Sequence, residues 1–169
     1  MVALKNAEGI LRAFAKLHVH HNNTELIMVG DTDPAIRQYA AKFQIADGAI
    51  SFRGEVPYEQ VAKEMQQAHC LVLFSNIENS PCVIGEAFCC GLPVIATNVG
   101  GIPELVNTSN SVLVQPGDEA ELMEAMLEVM QSYAHFDRKS IAADAAERFS
   151  PDIIGKQINS VYETLLRDV

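Results

Sequence analysis

The chain has little positive charge. Twelve Lys and Arg stand against 22 Asp and Glu, a formal net charge of −10 at pH 7. An acidic chain lacks the electrostatic footprint for non-specific binding to nucleic acid or an anionic membrane, so neither is expected as a partner. Long apolar runs are also missing, and none reaches the roughly 18 residues that read as a membrane-spanning helix. The opening residues, Met1-Val2-Ala3-Leu4-Lys5-Asn6, show no basic segment followed by an apolar one, so no secretory signal is expected there. Cysteine is scarce. Cys70, Cys82, Cys89 and Cys90 form no Cys-x-x-Cys pair, and each lies in or beside an apolar stretch. That pattern predicts buried free thiols in a reducing, cytoplasmic compartment. The run His18-Val19-His20-His21 has no carboxylate or Cys at ligand spacing, so no metal is expected. Three phosphate or nucleophile signatures are missing as well: Gly-x-x-x-x-Gly-Lys-Ser/Thr, Gly-x-Gly-x-x-Gly after the Gly30-Asp31 turn, and Gly-x-Ser-x-Gly.

What is present is an alternation of two periods over 169 residues, a length that suits one domain. Ala7 to about His20 carries Ile10, Leu11, Phe14 and Leu17 at helical spacing. Glu25 to Val29 is a short apolar run and reads as a buried strand. Pro34 to Phe43 reads as a helix, Ile50 to Phe52 as a strand and Tyr58 to Ala68 as a helix. Cys70 to Phe74 reads as a second buried strand. Ser80-Pro81 opens a helix, with Ser80 at the cap and Pro81 at the first position. It stops at Gly91, ahead of Pro93. Val94 to Ala96 is a strand, Ile102 to Val106 a short helix and Ser111 to Val114 a strand. Asp118 caps a helix to about Ser132, with Glu121 completing a capping box. A helix near Asp137–Arg148 and another from Ser150-Pro151 toward Leu166 form a helical tail over about 133–169.

Strand–helix alternation with short connections predicts an α/β domain. Its parallel sheet is covered by helices on both faces in Rossmann-like topology. The chain enters this pattern on a helix. The first, central strand of such a sheet is therefore missing, and a gap or distorted core is expected.

Ligands of open α/β sheets bind beyond the carboxyl ends of the strands. The segment Ser75-Asn76-Ile77-Glu78-Asn79-Ser80-Pro81-Cys82-Val83-Ile84-Gly85-Glu86 carries most of the polar chemistry there. Backbone N–H groups of Cys82 and Val83 lack intrahelical partners at a helix start, and such a terminus suits a phosphate. The plainer alternative is a capped helix whose donors are taken by Ser80 and water. Glu86 is unusual in a helix rich in Val83, Ile84, Ala87 and Phe88, with Gly85 beside it permitting close approach. A carboxylate there needs a partner, such as a pair of hydroxyls, or it faces solvent. Gly100 and Gly101 let the next loop approach a ligand, or else serve a plain strand-to-helix turn.

The segment from Glu78 to Glu104 resembles the donor-binding domain of family 4 glycosyltransferases, which have the two-domain GT-B fold. The resemblance rests on Glu78 and Glu86 separated by seven residues, then Ala87-Phe88-Cys89-Cys90-Gly91-Leu92-Pro93-Val94-Ile95-Ala96-Thr97, then Gly100-Gly101-Ile102-Pro103-Glu104. Val29-Gly30-Asp31, Phe52-Arg53-Gly54-Glu55-Val56 and Gln115-Pro116-Gly117-Asp118 resemble further family turns.

The resemblance implies roles. Glu86 binds the ribose hydroxyls of a nucleotide-sugar, and Glu78 sits at the donor sugar. Amides around Ser80, Pro81, Cys82 and Val83 hold the diphosphate or sugar. The stretch Arg53, Gly54, Val56 faces the base, and Gly30 closes the neighbouring turn. Lys5 matches a family lysine that contacts the diphosphate, so Glu78 and Lys5 are the expected catalytic residues. The expected substrate is a nucleotide diphosphate sugar, with no metal or other cofactor. Family members retain anomeric configuration without a covalent glycosyl-glutamate.

Relative to the family pattern, this chain starts just after an arginine. The preceding strand and the acceptor-binding N-terminal domain are not in it. It reads as the donor-binding half of a glycosyltransferase of polysaccharide or glycoconjugate synthesis, inactive alone. The sugar or lipid-linked acceptor would meet the other half. Two alternatives are a non-catalytic nucleotide-sugar-binding or interaction module and a GT-B-like sugar-nucleotide epimerase.

Overall fold

The computed structural model describes residues 2–30 and 33–167. Five parallel strands alternate with helices: α1 Val2–Lys5, α2 Ala7–His20, β1 Leu26–Val29, α3 Pro34–Ala41, β2 Ile50–Gly54, α4 Tyr58–Gln67, β3 Leu71–Leu73, α5 Cys82–Cys89, β4 Val94–Thr97, α6 Ile102–Leu105, β5 Ser111–Val114 and α7 Glu119–Ser132. A 3-10 turn, Tyr133–His135, leads to α8 Arg138–Phe149 and α9 Pro151–Arg167.

The sheet is in two pieces. β1 pairs with β2, while β3, β4 and β5 pair in that order, and no hydrogen-bonded ladder joins β1 to β3. In Rossmann topology the central strand lies between these two. The break therefore falls where the sequence predicts a gap.

Burial follows from the break. β4, flanked on both sides, is buried at all four positions. β1 is only half-buried and Val29 is exposed, and Leu71 and Val72 of β3 are half-buried. The predicted burial is thus corrected for Glu25–Val29 and for the start of Cys70–Phe74, whose Leu73 and Phe74 are buried as expected. Their composition suits an interior position, but each has a strand neighbour on one side only.

Helix α2 holds the halves together. Leu11 packs with Ile36 and Ala40 against the β1–β2 side, while Ala13 and Leu17 pack with Phe74, Ile95, Leu122 and Val129 on the β3–β5 side. Complete burial of a leucine such as Leu11 contributes about 1.5–3 kcal/mol. On the opposite face of the larger sheet, Ile84 and Phe88 of α5 pack with Leu73, Val94, Ile141 and Ala145.

Within the helical C-terminal tail, α8 packs into that core. Arg138 donates to the carbonyl oxygens of Gln66, Ala68 and Cys90, closing the ends of α4 and α5. By contrast, α9 has no buried residue among those described, and it exposes Ile158, Val161, Tyr162, Leu165 and Leu166.

Two predicted caps change. Pro81, not Ser80, is the N-cap of α5, and no side chain caps that helix. Ser80 is exposed one position further out. Asp118 does cap α7, accepting from the amides of Ala120 and Glu121. Glu121, however, accepts from the Gln115 amide rather than returning to Asp118. Cys82 and Cys89 are exposed, so only Cys70 and Cys90 are even partly buried. Both exposed cysteines border the cavity between α4 and α5.

Candidate functional site

The loop between β3 and α5 carries Glu78. Its Oε1 accepts a hydrogen bond from the Ser75 hydroxyl at 2.7 Å and a charge-assisted one from the Lys5 ammonium. Burial pushes this carboxyl up, since its side chain is 10% exposed, but the Lys5 and Ser75 bonds outweigh that and hold it below the usual range. Ser75 is fully buried at the end of β3, and its carbonyl accepts from Thr97 at 2.7 Å. The seat of Glu78 is thereby tied to the end of β4.

Lys5 is delivered by the first two helices. Asn6 breaks them apart in a left-handed conformation (φ 49°), and its side chain accepts from the Gly9 amide to start α2. The Leu4 carbonyl accepts from the Asn76 amide at 2.8 Å, fixing α1 against the Glu78 loop. The two predicted catalytic residues are therefore in contact, and backbone secures both.

Gly100 and Gly101 hold that loop from the other side. The Gly101 amide donates to the Asn79 carbonyl at 2.7 Å. A Cβ on Gly101 would lie 2.4 Å from the same oxygen. These glycines approach protein backbone at this contact. The sequence left open whether a ligand or a turn needs them, and the turn is what the structure displays.

Helix α5 begins beside Glu78, and its first turn carries Cys82 and Val83 with Pro81 buried behind. With no side-chain cap, the amide dipoles at this end are directed outward. Glu86 lies one turn along. Its Oε1 accepts from the Tyr58 hydroxyl at 2.6 Å. Tyr58 is the first residue of α4, two past Val56, and the sequence reading missed it. A tyrosine opening a helix after Val56-Pro57 carries no signal of its own, because its partner is distant in sequence. Ser75 was missed similarly, read only as the start of a polar loop.

A cavity of about 440 Å³ lies between α4 and α5, lined by Tyr58, Val61, Met65, Cys82, Glu86 and Phe149 among others. The group nearest Gly85 is the Phe149 ring, 3.6 Å from where a Cβ would stand. That is ordinary contact, so the close approach expected at Gly85 is not required by its packing.

The remaining predicted residues lie at the ends of β1 and β2. The Gly30 amide donates to the Gly54 carbonyl at 2.9 Å, and both glycines have positive φ (118° and 70°). Among the described residues, no atom lies within 4 Å of a Cβ built on either. Val56 is half-buried and Arg53 is exposed, its Nε 3.7 Å from Glu64 of α4. Asp31, part of the predicted turn, lies outside the described residues.

One carboxylate thus precedes an uncapped helix start along the chain, and the other lies one turn into that helix. One is charge-paired to a lysine and the other is bonded by a phenol. The chain matches the family described as glycosyl transferases group 1 over residues 1–132.

It belongs to that family.

Among its relatives is an N-acetyl-alpha-D-glucosaminyl L-malate synthase of Bacillus anthracis, 28% identical over 170 residues. The match covers 98% of this chain and 44% of the relative. A second, the D-inositol 3-phosphate glycosyltransferase of Corynebacterium kroppenstedtii, is 28% identical over 99% of this chain and 39% of its own length. The chain therefore spans less than half of these family members. Among solved structures, Anabaena HepE in complex with UDP superimposes with TM-score 0.83 at 23% identity, covering 95% of this chain and 46% of that one. These likenesses give the fold, that of the C-terminal half of a GT-B glycosyltransferase.

Proposed function

We propose that this chain is the donor-binding half of a retaining glycosyltransferase that uses a nucleotide diphosphate sugar. The observation that carries the reading is the uncapped start of α5, set between Glu78 and Glu86 with Lys5 on Glu78. Outward amide dipoles and an ammonium form a cradle for a diphosphate. Carboxylates suit the sugar and the ribose because vicinal hydroxyls donate to them.

In the proposed mechanism, Glu86 holds the ribose hydroxyls, and Arg53, Gly54 and Val56 border the base. The N–H groups of Cys82 and Val83 at the start of α5, next to Ser80 and Pro81, receive with Lys5 the negative charge that grows on the departing diphosphate. Preorganised dipoles and a cation stabilise such charge with no reorganisation at the moment of reaction. Lys5 would leave Glu78 for the diphosphate, freeing Glu78 to accept from a sugar hydroxyl. No covalent glycosyl-enzyme is invoked, so the two carboxylates are not a glycosidase acid/base pair. The printed names of relatives, among them a colanic acid glycosyltransferase of Salmonella typhimurium, support a role in polysaccharide or glycoconjugate assembly. UDP in the HepE complex supports a uridine donor as the first to try.

The test is calorimetric titration of the purified chain with UDP, GDP and ADP, repeated for Glu86→Ala. One diphosphate should bind, and the substitution should weaken it at least tenfold, the scale of losing a charged hydrogen-bond pair. Binding unaffected by Glu86→Ala would sink the assignment of the ribose site. Transfer needs acceptor and donor held together, and this chain carries the donor side. Alone it should show no sugar transfer.

A further inference from the structure

The Glu86 carboxylate and the loop expected to border the base are joined by one hydrogen bond. Tyr58 opens α4 immediately after Val56-Pro57, and its hydroxyl reaches across to Oε1 of Glu86 on α5. Among the described residues it is the one recorded hydrogen-bond donor to that carboxylate. Packing does not explain a tyrosine here. The residue is 68% exposed, and its ring is the wall of the cavity between the two helices rather than part of a core.

We infer that Tyr58 is a positioning residue for Glu86, fixing the carboxylate so that it accepts the vicinal diol of a ribonucleotide and discriminates against deoxyribose. The inference rests on the donor-site reading above and adds to it the residue that sets ribose selectivity.

The stereochemistry permits this. An ionised carboxylate offers about four lone-pair sites on two oxygens. The phenol occupies one of them on Oε1. Oε2 and the second site of Oε1 stay open, which is what two neighbouring hydroxyls require. Without the phenol, Glu86 would sample several rotamers on an open helix face, and ordering it would be charged against ligand binding. At 2.6 Å the bond is of the short, charge-assisted kind. The phenol also keeps its proton. Its bond to Glu86, with the nearby Glu86 charge, pushes its ionisation above the ordinary phenolic value. It remains a donor across the working pH range.

A blocking role is the opposing possibility, with Tyr58 occupying the site until a nucleotide displaces it. The two roles predict opposite signs. Removing a positioning hydroxyl weakens binding, whereas removing a competitor tightens it.

The experiment titrates wild type and Tyr58→Phe with UDP, GDP and ADP, then with the 2′,3′-dideoxy form of whichever diphosphate binds. Tyr58→Phe should weaken the ribonucleotide by about three- to tenfold, the scale of one ordinary net hydrogen bond, since the phenol acts on the ligand only through Glu86. The dideoxy compound, having no diol, should bind both proteins equally to within twofold. The ribose-to-dideoxyribose preference would shrink accordingly. Equal weakening of both ligands overturns the inference, since it marks a general loss of shape. So does unchanged or tighter ribonucleotide binding. If wild type binds none of the three diphosphates, the donor-site reading fails and this inference fails with it. Tyr58 is exposed, so the phenylalanine variant should keep the wild-type melting temperature, which a thermal scan checks.

Discussion

A Cβ added to Gly100 would lie 1.7 Å from the carbonyl oxygen of Glu78. Gly100 is also at φ 55°, in the left-handed region. The glycine is thus a spacer that sets how far the Glu78 loop stands from the end of β4.

Gly100→Ala should therefore act on both stability and ligand binding. The steric overlap is with backbone, which has no rotamer to escape into, and a left-handed alanine adds about 1–2 kcal/mol. A total loss near 2–3 kcal/mol is expected in urea denaturation. Gly117→Ala is the control. It also has positive φ, but no atom lies within 4 Å of its Cβ position, so only the backbone cost applies. Equal losses in the two variants would refute the spacer role.

The ion pair between Lys5 and Glu78 should be visible in acid. Burial raises the Glu78 carboxyl, but the Lys5 and Ser75 hydrogen bonds bring the net effect below its ordinary value of 4.5. A carboxyl lower in the folded state than in the unfolded state stabilises fully above its unfolded value. That contribution is lost as pH falls through the folded value. Lys5→Met leaves burial opposed by Ser75 alone. Glu78 should then titrate at higher pH, and acid unfolding should begin earlier on the way down. Carbon-detected NMR titration of the Glu78 carboxyl reads this directly. A carboxyl unmoved by Lys5→Met would show that the pair does not persist in solution.

The broken sheet makes a prediction for hydrogen exchange. The Leu26 amide donates to Ala49 and the Leu71 amide to Pro93, so both point toward their paired neighbour. Alternation along a strand turns the Ile27 and Val72 amides toward the break. Exchange at Ile27 and Val72 should be faster than at Leu26 and Leu71, and much faster than at Ile95 in the centre of β4. Equal protection along β1 would mean that something pairs with that edge in solution.

Most of the element order was legible because local chemistry decides it. Asp33-Pro34 and Asp118 start helices through their own side chains, and Gly91 ends α5 with φ 66°. The break in the sheet was legible too, from the topology of the alternation. What the residues could not convey was which partner each polar group takes, near or far along the chain. Ser80 looks like a cap, but Pro81 takes that position. Glu121 has the capping-box spacing, but its carboxylate finds the Gln115 amide instead. The Leu26–Val29 and Leu71–Leu73 runs are apolar enough to be interior, yet their exposure depends on which strands stand beside them. In the site, Glu78, Glu86 and Lys5 were singled out by motif. Ser75 and Tyr58, which hold two of them in place, sit 3 and 28 residues away along the chain from the carboxylates they bond. Only the fold brings Tyr58 to Glu86.

The family match ends at residue 132, yet the helix beyond it, α8, packs directly against α5, the helix that carries Glu86. Ile141 and Ala145 fill the core beneath α5, Phe149 walls the cavity, and Arg138 closes the ends of α4 and α5. Anyone trimming this protein to its recognisable motif would cut through the foundation of the site. The packed unit is longer than the stretch the family description covers, and a domain meant for binding measurements should end no earlier than Phe149.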